Sequence, residues 1–590
     1  MTLERLERDS ACLLDRLAAQ PRLAAAALLA LAVFTYLPGV FLLPPVDRTE
    51  IVYAQSSRGM VERSSLIDSS YEGERVAFRP IGIYWLQAGA AKVLGRGARG
   101  AISTYRLPSV IAGILAVLAT WWLTRPPLGE RRAIIAAGLF AVSPIVALQA
   151  TLSIPEGPLL LAIVVAQLTL LRLYCALPGD RNQELWLALA FWAAQGGGIL
   201  LNALAVPILS LTTIIALCVF DRRLDWPWRL RPLIGVPLMA AIAAPWLLIR
   251  AHYDGIPFSG LTWGEFLRAL GGAQDMKWKA APLTFTLAFI LGFLPGALLL
   301  IPALQNLWRE RGLALQRFLF AWIVGYWLYL ELIASKPALY TVQAMFPAAA
   351  AAVALALDRN SQLAIPPRML RLPWWIVLPG TIALFAVIVN LARAPSTFVI
   401  VAGATLVTAL FTLAARAAVE DKAAAWLTTS VAGFALFIAY TFGVFMPHLQ
   451  KGWPAARIAE AVAPLRRCVT GPVGVLGFRE PSATFLLGRR SVTDAETIAA
   501  WMATGEEAIA VVEDRFQPDV ARVLALRGAK PPPRAGCVTA FNVMRGCQLN
   551  FSIYATGADA LDETCRVAER FRCPAQAPPA EAADHASRCR

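Results

Sequence analysis

The stretch FLLPPVDRTEIVYAQSSRGMVERSS, residues 41–65, decides the reading of this chain. It closes an apolar run, about 23–43, that is long enough to cross roughly 30 Å of hydrocarbon. Asp47, Arg48 and Glu50 follow almost where that run would leave the bilayer. Ionisable side chains so close to a span are costly in lipid, and their presence points to function.

The rest of the chain supports a membrane setting. Of 590 residues, 58% are hydrophobic and 16% charged, where a soluble chain carries about 25% charged. Apolar runs of span length lie at about 23–43, 101–123, 132–150, 158–175, 185–201, 203–219, 231–250, 283–304, 316–334, 340–357, 372–392, 397–415 and 425–446. These thirteen runs predict an all-α polytopic membrane fold over residues 1–446. Residues 1–22 are charged and polar, and the first run is too long for a signal peptide, so no cleavable leader is expected. The formal charge is +15, from 54 basic and 39 acidic residues. Those basic residues are scattered among short loops and form no stripe, which argues against a nucleic-acid partner.

Loop charge predicts the orientation. The N-terminus and the connections RPPLGERR (125–132), DRRLDWPWRLR (221–231), RERGLALQR (309–317), DRNSQLAIPPRMLR (358–371) and RAAVEDK (416–422) are basic and fall on one side, expected to be cytoplasmic. Loops 44–100, 151–157, 251–282 and 335–339 and the tail from 447 then face outward. The first outer loop is also basic and breaks the bias. In the tail, strand-like runs (471–478, 507–514) alternate with helical ones (494–503, 518–527), predicting a small α/β domain over 447–573. Residues 574–590 are rich in Pro and Ala and are expected to be disordered. Six of nine cysteines lie in the tail (Cys468, Cys537, Cys547, Cys565, Cys573, Cys589), an even number that suits disulfides in an oxidising compartment. Sequence leaves their pairing open. Cys12, Cys175 and Cys218 are expected to be free.

The outer loops collect charge. Loop one holds Asp47, Arg48, Glu50, Glu62, Arg63, Glu72, Glu74, Arg75 and Arg79, followed by PIGIYWLQ (80–87) with Tyr84. The second, SIPEGP (153–158), adds Glu156; GGAQDMKWKAAP (271–282) adds Asp275, Lys277 and Lys279; SKPALY (335–340) adds Lys336 and Tyr340; Asn202 ends the fifth run. Carboxylates at a membrane edge can orient or take a proton, and cations there can hold a phosphate. Two or three carboxylates beside a phosphate could also hold a divalent metal; the residues leave that open and require no other cofactor.

This pattern resembles the membrane-embedded C-type (GT-C) glycosyltransferases. The nearest branch holds the bacterial aminoarabinose transferase of lipid A and the protein O-mannosyltransferases. The resemblance covers roughly residues 20–360 and is strongest at DRTEIVYAQSSRGMVE (47–62), RPIGIYWLQAGAAKVLG (79–95), GGILLNALAVPIL (197–209) and GGAQDMKWKAAP (271–282). It implies transfer of a sugar from a polyprenyl-phosphate carrier to a lipid or cell-envelope glycan acceptor on the periplasmic face of the inner membrane. It implies Asp47, Glu50 and Glu156 as catalytic carboxylates. Arg48, Arg79, Tyr84, Asn202, Lys277, Lys279, Lys336 and Tyr340 are the implied substrate contacts. The chain departs from the family pattern at three points: Thr49 stands where the main catalytic Asp is usual, Val52 where an Arg is usual, and Asn202 where a phosphate-binding Lys is usual. A relative that binds carrier lipid without catalysis is therefore a second reading.

Plainer roles stand beside these. Asp47 and Glu50 approximate a capping box for a helix at about 48–62, and Glu156 could open a helix beside Pro155 and Pro158. Arg79, Lys277, Lys279 and Lys336 could be snorkelling anchors, with Trp85, Trp278 and Tyr340 as belt aromatics. His252, His448 and His585 are too dispersed for a metal site, and GGG (196–198) reads as close helix packing. A transporter would need charge at mid-span, and 132–150 and 425–446 offer none there.

Overall fold

The computed structural model describes residues 2–46, 49–67, 80–95, 100–176, 181–253, 281–333, 339–357, 397–449, 452–488, 493–542, 547–557 and 565–573. In chain order it opens with α1 (Leu3–Ala19), α2 (Pro21–Leu42), α3 (Thr49–Glu62), α4 (Gly82–Val93), α5 (Ile102–Leu128) and α6 (Glu130–Ala141). It continues with α7 (Pro144–Thr151), α8 (Glu156–Cys175), α9 (Arg181–Asn202), α10 (Ala205–Asp221) and α11 (Pro232–Tyr253). Helical segments Thr284–Gly292, Leu300–Arg309, Ala314–Leu332, Phe346–Leu357, Thr397–Val419 and Ala423–Tyr440 follow.

Among the described residues, seven helices are long and apolar enough to cross a membrane, or nine if two bent pairs each count as one span. The bends are 64° between α6 and α7 and 112° after Gly292. Pro144 and Pro295 sit at these breaks, where the missing N–H and the ring end a helix. Twelve of the expected spans fall on described helical segments; the one at 372–392 lies outside the described residues. These helices therefore do not establish thirteen spans. The run 185–219 does divide in two, because Ala203 takes a left-handed φ of 37° and ends α9 at Asn202.

The chain forms two compact units. One runs up to Leu42 and from Ser56 to Val444; the other joins Leu43–Gln55 with the chain from Phe445 onward. In the helical unit, α2 buries Ala24, Leu28, Ala32, Tyr36 and Val40, a stripe at four-residue spacing, and exposes Leu29, Phe34 and Phe41. Its central helix α8 is buried nearly all round and packs on α5 and α9. Polar side chains tie the helices. Gln195 on α9 and Gln167 on α8 donate to Ser210 Oγ on α10 at 2.7 and 3.3 Å. Tyr174 and Arg317 both hold Asp221, at 2.9 and 2.8 Å. Glu7 of α1 accepts from the free N–H groups of Ala424 and Ala425 at 3.2 and 2.7 Å, capping the helix Ala423–Tyr440.

The second unit contains a four-stranded sheet in the order β1 (Val473–Leu476), β2 (Ala508–Glu513), β4 (Cys547–Thr556), β3 (Arg534–Asn542). β1 and β2 are parallel; β4 runs antiparallel to both its neighbours. Alternation along β2 sends Ile509 and Val511 to one face, with Ile458, Val462 and Leu487, and Ala510 and Val512 to the other, with Ile498, Met502 and Leu524. The result is a helix–sheet–helix sandwich. Cys468 pairs with Cys565 and Cys537 with Cys573; Cys547 is also disulfide-bonded, and Cys12, Cys175 and Cys218 are free. Cys589 and the tail 574–590 lie outside the described residues.

Candidate functional site

α5 carries three residues at i, i+3 and i+7 along one face: Arg106, Ser109 and Gly113, all buried. Arg106 is fully buried, and its Nη1 donates to the carbonyls of Gly39 and Val40 at 3.3 and 3.2 Å. Those carbonyls belong to the last turn of α2, where no helical N–H reaches them and the helix dipole favours a cation. One turn further along α5, Ser109 Oγ donates to the Ile154 carbonyl at 3.0 Å. A Cβ added at Gly157 would stand 3.0 Å from both Ser109 Cβ and the Ser109 carbonyl, so a larger residue would press the first turn of α8 against α5 here.

The turn before α8 is also held from its other side. Gln87 of α4, fully buried, donates from Nε2 to the Ser153 carbonyl at 3.0 Å and accepts from Ser57 Oγ of α3 at 2.7 Å. Consecutive backbone carbonyls, Ser153 and Ile154, are thus taken by side chains from α4 and α5. Glu156 follows as the first residue of α8, only 6% exposed. On the same side of the unit, Arg58 donates to the Gly100 carbonyl at 3.1 Å and lies beside the Tyr105 hydroxyl.

The start of α4 meets the end of α9. A Cβ on Gly82 would stand 2.7 Å from the Leu200 carbonyl. Tyr84, fully buried, and Asn202, half-buried, therefore stand near adjoining helix ends. Glu50 belongs to the other compact unit. It is 1% exposed, and its Oε2 accepts from the Val46 N–H at 2.9 Å. That bond closes the turn entering α3, so the capping role read from the sequence holds in part: Glu50 reaches back to the backbone, from the second helical position rather than the third.

Asp47, Arg48, Arg79, Lys277, Lys279 and Lys336 lie outside the described residues, as does the side chain of Tyr340, whose backbone is part of the turn Leu339–Met345. Among the described residues, no three His, Cys, Asp or Glu side chains gather as a cation site. Sequence reading missed Arg106, Ser109, Gln87 and Ser57. Arg106 carried a usable signal, being an ionisable residue inside the apolar run 101–123. Gln87 carried a weaker one, as the polar end of PIGIYWLQ.

Within the helical unit, apolar helices long enough to cross a membrane carry a buried guanidinium (Arg106), amide (Gln87) and carboxylate (Glu156). Residues 78–249 match the family model described as dolichyl-phosphate-mannose-protein mannosyltransferase. In sequence the chain resembles the undecaprenyl phosphate-alpha-4-amino-4-deoxy-L-arabinose arabinosyl transferase 2 of Pseudomonas fluorescens, 28% identical over 327 residues, which are 55% of this chain and 54% of the relative. It is 27% identical to the corresponding transferase of Aeromonas salmonicida over 370 residues, 60% of this chain and 65% of that one. The chain spans about half the length of the first of these curated relatives. Its fold is that of ArnT from Cupriavidus metallidurans, solved bound to undecaprenyl phosphate: the TM-score is 0.66 at 16% identity, covering 89% of this chain and 97% of ArnT. The resemblance to the aminoarabinose-transferase branch read from the motifs therefore stands in both sequence and fold.

Proposed function

We propose that the chain is an integral membrane glycosyltransferase of the bacterial inner membrane, which moves a sugar from a polyprenyl-phosphate carrier to a lipid or envelope glycan on the periplasmic face. The observation that supports this most is Glu156, a buried carboxylate on a doubly held turn, in a chain that shares its fold with an enzyme captured on undecaprenyl phosphate. In the reaction, an acceptor oxygen attacks the anomeric carbon. The bond from that carbon to the phosphate oxygen breaks, its electron pair leaves with the polyprenyl phosphate, and the acceptor proton passes to a carboxylate. Asp47 and Glu50 are assigned as proton acceptor and Glu156 as the group that orients the acceptor. Arg48, Arg79, Lys277, Lys279 and Lys336 are assigned to the departing phosphate, and Tyr84, Asn202 and Tyr340 to substrate contacts.

Replacing Asp47→Asn and Glu50→Gln together should abolish transfer of labelled 4-amino-4-deoxy-L-arabinose from its undecaprenyl-phosphate carrier to lipid A, while the amount of folded protein in the membrane is unchanged. Undiminished turnover in that double variant removes both residues from the mechanism. Thr49 and Asn202, which replace an expected Asp and Lys, favour a second reading as a carrier-lipid binder without turnover. Wild-type protein that retains labelled undecaprenyl phosphate but neither hydrolyses nor transfers the sugar would establish it.

A further inference from the structure

We propose that Gln87 is the positioning residue for Glu156. The inference rests on the proposed role of Glu156 and adds the device that holds it in place. In the turn Leu152–Pro155 the Leu152 N–H bonds to the Leu148 carbonyl at 3.3 Å, the Ile154 N–H to the Leu152 carbonyl at 3.0 Å, and the Pro155 carbonyl accepts from the Leu159 N–H at 2.9 Å. The carbonyls of Ser153 and Ile154 stand between these bonds at buried residues and accept from Gln87 and Ser109. An unsatisfied carbonyl there would drive the turn to shift toward another donor. Ser109 holds the Ile154 carbonyl from α5, the helix against which Gly157 already presses α8. Gln87 holds the Ser153 carbonyl from α4, with no comparable backbone contact behind it, and Glu156 is three residues away.

The residue type is specific. At one end of a side chain, a primary amide both accepts from the Ser57 hydroxyl and donates to the Ser153 carbonyl at any pH. A glutamate could accept but, when ionised, not donate; a methionine of similar length could do neither. The chain Ser57–Gln87–Ser153 therefore links α3, α4 and the Glu156 turn through two buried hydrogen bonds of 2.7 and 3.0 Å. Gln87 touches no reacting atom in this scheme and acts through the geometry of Glu156.

The test uses the full chain in lipid nanodiscs, with Gln87→Met, Gln87→Glu, Glu156→Gln and the Gln87→Met/Glu156→Gln double variant. Two readouts are taken: deuterium exchange of amides 152–157, and steady-state transfer from undecaprenyl-phosphate 4-amino-4-deoxy-L-arabinose to lipid A. Gln87→Met should speed exchange in 152–157 and lower kcat by about 10- to 100-fold, the usual consequence of a misplacement near 1 Å, with KM for the donor nearly unchanged. Gln87→Glu should fall the same way at pH values where its carboxyl is ionised, because it then keeps only the Ser57 bond. The double variant should be no slower than Glu156→Gln alone. A fast Gln87→Met beside a slow Glu156→Gln, or losses that multiply in the double variant, overturns the proposal. If wild-type protein transfers nothing, the functional reading fails instead, and the exchange arm still decides: unchanged exchange at 152–157 in Gln87→Met sinks the positioning claim. If Gln87→Met does not reach the membrane folded, Ser57→Ala removes one bond of the same chain and carries the same two readouts, with a smaller loss expected.

Discussion

Gln195 in the helical unit and Ile509 in the sandwich are both buried, yet they hold their neighbours by different means. Gln195 shares Ser210 Oγ with Gln167, so three helices meet on one hydroxyl. Ile509 makes no side-chain hydrogen bond and sits among Ile458, Val473, Val475 and Ile553. Lipid is as apolar as leucine, so spans in a bilayer gain little from apolar burial against each other and rely on close contact and polar ties. A domain in water gains from apolar burial, and this one adds disulfides. If that difference is real, the two units should fail under different insults.

The largest effect should come from the disulfides. In the chain-entropy account the stabilisation rises with the size of the closed loop. The sequence separations are 97 for Cys468–Cys565 and 36 for Cys537–Cys573. Removing either bridge by paired Cys→Ser substitution should cost the sandwich about 4–5 kcal/mol, with the longer loop costing more. Calorimetry and limited proteolysis should show the sandwich melting earlier while the helical unit is unchanged, since Cys12, Cys175 and Cys218 there are free. A helical transition that shifts by the same amount would break the comparison.

Arg106→Met makes the reverse cut. It leaves the Gly39 and Val40 carbonyls at the end of α2 without their charged donor. Losing hydrogen bonds to a charged group costs roughly 2–3 kcal/mol. The loss should appear in the thermal unfolding of detergent-solubilised protein as a lower helical transition, with the sandwich transition in place. Arg106→Lys should recover part of it, because both bonds come from one guanidinium nitrogen and an ammonium also carries more than one donor, on a stem of different length and shape.

Much of the fold was legible because apolar runs and basic loops are written in single residues. The break at 202–203 and the strand-like runs 471–478 and 507–514, where β1 and β2 lie, followed from the same patterns. β3 and β4 were not read. PPPR at 531–534 looks like a breaker, and β4 opens with Gln548 and Asn550, whose polar side chains point to solvent at the sheet's end. Within the candidate site, Glu50 and Glu156 were found because charge at a span end is conspicuous. Ser57, Gln87 and Ser109 were not, because uncharged polar residues are common in helices. Only the fold shows that Gln87 and Ser109 reach backbone carbonyls of the turn before α8 and that Ser57 meets the Gln87 amide.

The smallest expected effect separates helix capping from core burial within the sandwich. Asp494 precedes the helix Ala495–Thr504 and accepts from the Thr497 N–H at 2.7 Å. That backbone bond, with the Thr497 hydroxyl, holds its carboxyl below the usual aspartate range. A pKa depressed by folding means that the charged form is bound more tightly in the native state. Its contribution is fully present above the unfolded value near pH 4 and is lost as pH falls through the lower, folded value. Asp494→Ala should therefore lower the sandwich transition at neutral pH by about 1 kcal/mol or less, the range for an exposed cap. The gap from wild type should narrow below about pH 4. Asp494→Asn, which caps without charge, should match wild type near neutrality and lose this acid dependence. Because the group is exposed, added salt should shrink the charge-dependent part. An Asp494→Ala protein whose transition keeps the same gap down to pH 2 would show that the cap's charge contributes nothing, leaving the sandwich to its apolar faces and its disulfides.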